Sequence, residues 1–158
     1  MAPQPQASRP SMPEGYGVPE TDEGLLEWGW AVERLEAALN YWFATTRPDG
    51  RPHAMPAWAV FLDGTLYFEG SPLTRRARNL AANAAVVVHL ESGDEVVIVE
   101  GVAEPASATE RDVEAYDAKY AYRPSPGEGW YRVVPTRALA WRETDYPRST
   151  TRFDFEDR

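Results

Sequence analysis

Between residues 25 and 39 the apolar positions are Leu25, Trp28, Val32, Leu35 and Leu39, steps of three and four that gather them on one helical face. The spacing predicts an amphipathic helix, with Gly29 tolerated inside it. After Asn40 the pattern becomes that of strands: Tyr41 to Arg47, a Pro48-Asp49-Gly50 turn, Pro52 to Leu62, an Asp63-Gly64 turn, and Thr65 to Glu69. Three antiparallel strands in a meander are expected there. Ser71 before Pro72 supplies an N-cap with proline at the first helical position, and good helix formers run on to Asn83. Ala84 to Glu91 and Glu95 to Ala103 are β-rich runs joined by Ser92-Gly93-Asp94, a second hairpin. Ser107 and Glu110 read as a capping box ahead of the helical stripe Val113, Tyr116 and Tyr120, which ends near Arg123. A Pro- and Gly-rich loop follows, then strand character from Tyr131 to Arg142, and a weak alternation from Thr150 to Phe155 that fits an edge strand or a docked tail. About six antiparallel strands with short helices between them fit a closed or partly closed barrel, because closure removes exposed sheet edges. The expected class is α+β with a β-barrel core.

Composition sets the limits. A chain of 158 residues, 43% hydrophobic and with six Trp, holds one compact domain, placed at 21–158. Residues 1–20 contain five of the 14 Pro and little apolar material, so a disordered arm, dispensable for folding, is expected there. The absence of Cys removes thiol nucleophiles, thiolate metal sites and disulfides, and two His are a meagre supply for a metal centre, so no metal is expected. A net charge of -9 argues against nucleic acid as partner, and neither a membrane-spanning run nor a secretory signal is visible, which points to a cytoplasmic protein without a membrane partner.

Lys119 is the only lysine among 16 basic residues, the rest being arginine, and three arginines cluster at Arg75, Arg76 and Arg78. They follow a strand end and a helix start in Gly70-Ser71-Pro72-Leu73-Thr74. Free N–H groups at the helix start, hydroxyls of Ser71 and Thr74, and guanidinium forks together describe an anion site. A solvated basic face is the plainer reading of the same run. Dinucleotide, P-loop and zinc-protease signatures are absent. His53 and His89 sit within predicted strands and read as structural. Glu100, inside the apolar run Val96 to Val102, needs a partner if it is buried.

The order of these pieces resembles the pyridoxamine 5'-phosphate oxidase-like split β-barrel flavoproteins and their actinobacterial deazaflavin-dependent relatives. The resemblance runs from about Leu35 to Arg158. It is carried by Arg47-Pro48-Asp49-Gly50-Arg51-Pro52-His53, by Arg75-Arg76-Ala77-Arg78-Asn79-Leu80, and by Val99-Glu100-Gly101-Val102-Ala103. It implies a homodimer with two equivalent sites between the subunits, each taking FMN or the deazaflavin coenzyme F420. It also implies that Thr74, Arg75 and Arg76 hold the phosphate, with Ser71 and Asn79 among the cofactor-binding residues. Met55, Pro56, Ala57 and Trp58 would run beside the ring, while Trp141 and Arg152 approach from the partner subunit. The C-terminal Arg152-Phe153-Asp154-Phe155-Glu156 lacks the His and second Arg of true pyridoxamine phosphate oxidases, and Val96 stands where the family carries a polar residue. Pyridoxamine phosphate is therefore not the expected substrate. The implied activity is hydride exchange between flavin or deazaflavin and a small molecule, with no catalytic side chain named. The alternative is a flavin or haem carrier without turnover.

Overall fold

The computed structural model describes residues 4–156. Its elements are β1 (Gln6–Ser8), α1 (Trp28–Ala37), β2 (Tyr41–Thr46), β3 (Pro52–Ala57), β4 (Val60–Leu62), β5 (Thr65–Glu69), α2 (Arg75–Ala82), β6 (Ala85–His89), β7 (Glu95–Ala108), α3 (Glu110–Tyr120), β8 (Gly127–Arg142) and β9 (Thr151–Asp154). One antiparallel sheet runs β1-β9-β8-β7-β6-β2-β3. Along its other edge β8 pairs first with β5, at Trp130 to Val133, and later with β9, at Arg137 to Ala140, so the sheet forks there. This is the expected α+β split barrel, with nine strands among the described residues where about six were expected.

Several local expectations change. The run Pro52 to Leu62 is two strands broken at Trp58 and Ala59, because the hydroxyl of Tyr120 accepts the Ala59 N–H at 3.1 Å and turns the chain out of the β2–β3 ladder. The meander is consequently two separate hairpins, β2–β3 and β4–β5. The capping box ahead of α3 is Thr109 with Asp112, two residues later than read, since Asp112 reaches back to the Thr109 N–H at 2.7 Å.

Residues 6–8, read as part of a disordered arm, form a strand on β9, with Ser8 opposite Arg152 and Gln6 opposite Asp154. The anchor is Arg9, whose guanidinium donates to the carbonyls of Thr21 (2.9 Å), Glu23 (2.7 Å), Arg148 (2.6 Å) and Thr150 (3.0 Å). Composition missed this segment because its ordering comes from backbone pairing and one side chain rather than from apolar burial.

The core lies between the inner face of the sheet and α1. Trp28 meets Phe153 and Phe155 edge-on at 5.1 and 5.0 Å, and Phe43 meets Phe68 at 4.7 Å. A smaller cluster of Val60, Ala108, Val113, Tyr116 and Trp130 lies under α3. Lys119 ties α3 to the end of α1, its Nζ donating to the Glu36 carbonyl at 3.0 Å and to the Tyr41 hydroxyl at 2.6 Å.

Two predictions follow from these anchors. Arg9→Ala should cost about 1–3 kcal/mol and lower the melting temperature by ~3–10 °C, with faster amide exchange in β9; an unchanged melting temperature by calorimetry would refute the anchoring role. Burial lowers the Lys119 amine to about 8. Its folded pKa then lies below the unfolded one, so the unfolded chain holds the extra proton above that value and this residue's contribution to stability rises with pH. Relative to Lys119→Met, the wild-type protein should gain stability between about pH 8 and pH 9.5. A parallel pair of stability curves over that range would contradict the burial.

Candidate functional site

Helix α2 starts at Arg75 because Thr74 caps it, its Oγ1 accepting the Ala77 N–H at 3.1 Å. Ser71 closes the preceding turn instead, its Oγ accepting from Leu73 N–H at 3.2 Å, so the cap expected at Ser71 falls three residues further on. Both hydroxyls keep their own proton to donate. The helix rests on β2 through Asn79, which is fully buried and donates from Nδ2 to Thr45 Oγ1 at 3.0 Å, while its Oδ1 has no partner.

Arg76 is the unusual member. It is only 7% exposed, yet its guanidinium meets no carboxylate within 4.0 Å and no hydrogen-bond acceptor among the described residues. It lies over two aromatic faces instead, 5.0 Å from the Phe43 ring centroid and 4.7 Å from that of Phe68. A β-carbon on Gly70 would come within 3.1 Å of its Nη2, so the glycine leaves room for the side chain. Burial lowers its pKa from the usual arginine value, partly offset by Tyr131, Tyr116 and Glu69 nearby.

The neighbours of Arg76 extend the pattern. Arg47 at the end of β2, Arg75 and Arg78 likewise have neither ion pair nor hydrogen bond through their guanidiniums. Every other described arginine has one or the other, from Arg34 with Glu95 to Arg152 with Asp154. Asp49, the nearby acid, is held by Arg51 at 2.8 Å; that contact lowers its carboxyl pKa, with smaller contributions from Arg47 and Arg75. Arg47 appeared in the sequence only as part of a hairpin motif. The signal that could have found it is the Pro-Asp-Gly turn, which fixes its place at the strand end.

Strand β3 forms the neighbouring wall. Met55 pairs with Phe43 and Ala57 with Tyr41, so these two side chains share the face that carries Arg76, while Pro56 joins Trp42 on the opposite face. Being paired on one side only, β3 keeps an open backbone edge. Met55 and Trp58 are 41% and 46% exposed, and the Trp58 indole is stacked on Tyr120 at 4.7 Å and 9°. Met55 and Ala57 thus share a face with Arg76, and Asn79 ties α2 to the strand that β3 pairs with.

Trp141 and Arg152 do not join them. Arg76 reaches the end of β5, where Glu69 pairs with Trp130, whereas Trp141 lies at the far end of β8, tilted against Tyr146. Arg152 pairs with Asp154 at 2.7 Å on the outer face of the sheet. One row across that face reads Trp42, His89, Ile98, Leu139 and Arg152, and the next reads Ala44, Val87, Glu100, Arg137 and Asp154. Glu100 is therefore a half-buried outer residue, not a core carboxylate. The His89 ring stacks on Trp42 at 6.2 Å, and His53 lies opposite Thr45. No group of His, Cys, Asp and Glu suited to a metal ion exists among the described residues, and no helix among them is long and apolar enough to cross a membrane.

A forked antiparallel barrel of this kind is a split barrel. Residues 31–142 match the family profile described as pyridoxamine 5'-phosphate oxidase, and the chain belongs to that family. Solved structures agree in fold. A conserved hypothetical protein of Mycobacterium tuberculosis superposes with a TM-score of 0.66 at 22% identity, covering 78% of this chain and 89% of its own. An F420 reductase gives 0.54 at 24% identity, over 80% and 98% of the two chains. The haem storage protein of Vibrio cholerae gives 0.54 at 17%, over 66% and 87%. No curated protein matches the sequence.

A largely buried guanidinium without a counter-ion, even one whose nitrogens still touch solvent, costs the fold something unless a ligand meets it. Arg76→Met keeps the stem against Phe43 and Phe68 and removes the charge. The ligand-free variant should melt within about 2 °C of wild type or higher, since loss of a cation–π contact offsets relief of desolvation. A fall of many degrees would mean that Arg76 serves the fold rather than a ligand.

Proposed function

We propose that the chain is an oxidoreductase that binds a phosphate-bearing flavin or deazaflavin, FMN or F420, and exchanges a hydride between it and a small substrate. The observation that carries this is Arg76, a buried cation with no anion of its own, set beside a second unpaired arginine at the start of α2. A phosphate there would accept bidentate guanidinium bonds from Arg75 and Arg76, with the spare protons of Ser71 and Thr74 as further donors. Asn79 would act on the site through Thr45, holding α2 against β2. The open edge of β3 suits a flat heterocycle whose polar rim needs backbone partners, and Met55, Pro56, Ala57 and Trp58 would exclude water from it. When bound, the cofactor supplies the redox chemistry, which accounts for the lack of any obvious catalytic triad. Membership of the family and the likeness in fold to an F420 reductase support this reading.

The same proposal includes a homodimer. The outer rows present Trp42, Val87, Ile98 and Leu139 beside alternating charges at Glu100, Arg137, Asp154 and Arg152, a surface fitted to a second copy. Trp141 and Arg152, remote from α2 in their own chain, would then reach the partner's cofactor.

Two measurements test this reading. Arg75→Ala with Arg76→Ala should weaken binding of FMN or F420 by about 1.5–3 kcal/mol, roughly 10- to 150-fold. The control pair Arg111→Ala with Arg123→Ala, whose partners are Asp63, Glu110 and Asp117, should not. Equal affinities by titration would defeat the phosphate assignment, and a loaded protein that no substrate bleaches would favour a carrier. Mixed dimers of the Arg75→Ala, Arg76→Ala subunit with a Trp141→Ala, Arg152→Ala subunit should retain one intact site and bind near half stoichiometry with normal affinity. Absence of any normal-affinity site would reject sharing across the interface.

A further inference from the structure

The exposed aromatic side chains among the described residues are Tyr16, Trp58 and Tyr122, and two of them are neighbours: the Trp58 and Tyr122 rings stand 6.5 Å apart at 56°. The chain gives up local regularity to hold them there. Tyr120 breaks the strand after Trp58, its hydroxyl accepting the Ala59 N–H at 3.1 Å while its own proton lies between the carbonyls of Ala59 and Leu39, each at 2.8 Å. Between the two tyrosines, Ala121 caps α3 in the left-handed region at φ 50°, a strained conformation for alanine, and the chain turns there so that Tyr122 comes back to Trp58.

The rings behind this pair are fixed by packing. The Trp58 indole lies flat on Tyr120 (4.7 Å, 9°), Tyr120 leans on Tyr116 (4.8 Å), and Tyr116 meets the buried Trp130 edge-on (5.4 Å). With one face on Tyr120 and 46% of its surface exposed, Trp58 offers its other face to solvent. The cluster also adjoins the arginine site, since the Tyr116 hydroxyl lies close enough to Arg76, Tyr120 and Tyr122 for each to act on its ionisation.

We infer that Trp58 and Tyr122 form the recognition surface for the substrate, a planar conjugated ring poor in electrons that stacks on the open face of Trp58 with its edge against Tyr122. The inference rests on the oxidoreductase reading proposed above and names its substrate class. An indole backed by a parallel phenol is an electron-rich face, and an electron-poor ring is its complement. Because the platform is already packed, binding orders few loose side chains. Electron deficiency is also what a ring needs to accept a hydride.

The test adds menadione, a flat naphthoquinone, and decalone, a bicycle of similar size without the conjugation, to the cofactor-free full chain, read by calorimetry and by the proton NMR of the probe. Wild type should bind menadione about tenfold more tightly than decalone, with upfield ring-current shifts. Trp58→Leu and Tyr122→Leu should each weaken menadione by about three- to tenfold and leave decalone within about twofold, while Tyr122→Phe keeps the binding. Arg75→Ala with Arg76→Ala, and wild type saturated with FMN, should bind menadione as the empty wild type does. The stacking site is overturned if wild type does not prefer menadione, if Tyr122→Leu binds it unchanged, or if FMN displaces it, which would put the quinone in the cofactor's own seat. A wild type that binds menadione but neither FMN nor F420 keeps the stacking site and loses the oxidoreductase reading; one that binds FMN but not menadione does the reverse. Melting temperatures check that the variants fold, and Tyr122→Leu, at an exposed position, decides the matter if Trp58→Leu does not fold.

Discussion

Everything in this fold hangs from the β7–β8 ribbon, and the ribbon depends on one close approach. A β-carbon at residue 101 would lie 2.4 Å from the Val134 carbonyl oxygen, a distance no side chain permits. The register shifts between Glu100 and Gly101, so the ladder runs on one count from Glu95 to Glu100 and on another beyond. With glycine there the two strands bend without parting. The bend lets β8 offer one stretch to β5 and another to β9, and lets β7 carry β6, which in turn carries β2 and β3. A larger residue would separate the strands where the sheet curves, and the inner faces bearing Phe43, Phe68 and Phe153 would no longer meet.

The site occupies the end of this arrangement that the core leaves least satisfied. Phe43 from β2 and Phe68 from β5 belong to the core, yet they also bed a guanidinium that has no counter-ion. A cation placed this way holds some stability in reserve for a ligand, which is a usual condition of binding sites. The contrast with the rest of the surface makes the argument specific. Arg34, Arg111, Arg132 and Arg148 are all matched by acids, so the failure to match Arg47, Arg75, Arg76 and Arg78 is local.

What the sequence revealed follows the range of its signals. Helical periodicity placed α1 and α3, and the Asp63-Gly64 and Ser92-Gly93-Asp94 turns placed two hairpins, because these are interactions between near neighbours in the chain. The arginine run was legible for the same reason. The break at Ala59 was not, since it is made by Tyr120, 61 residues away. Nor was β1, whose order rests on Arg9 reaching carbonyls as far away as Thr150, 141 residues on. The depth of Arg76 was hidden too: a triplet of arginines looks alike in sequence, and only the packing of α2 on β2 and β5 separates a buried one from its exposed neighbour.

The fork in β8 also bears on why such a barrel would build its site from two chains. The stretch of β8 that pairs with β5 and the stretch that pairs with β9 are different parts of the strand, and Trp141 lies beyond the second. The strand order fixes this separation whatever the side chains are. A second copy docked through the outer rows, as proposed, would set the β9 end of one chain against a surface of its partner. In the proposed dimer the outer face is then more than a buried surface. It would supply the aromatic and the charge that each chain's own site lacks, so binding at the arginine cluster and association of the chains would reinforce one another through the same contacts.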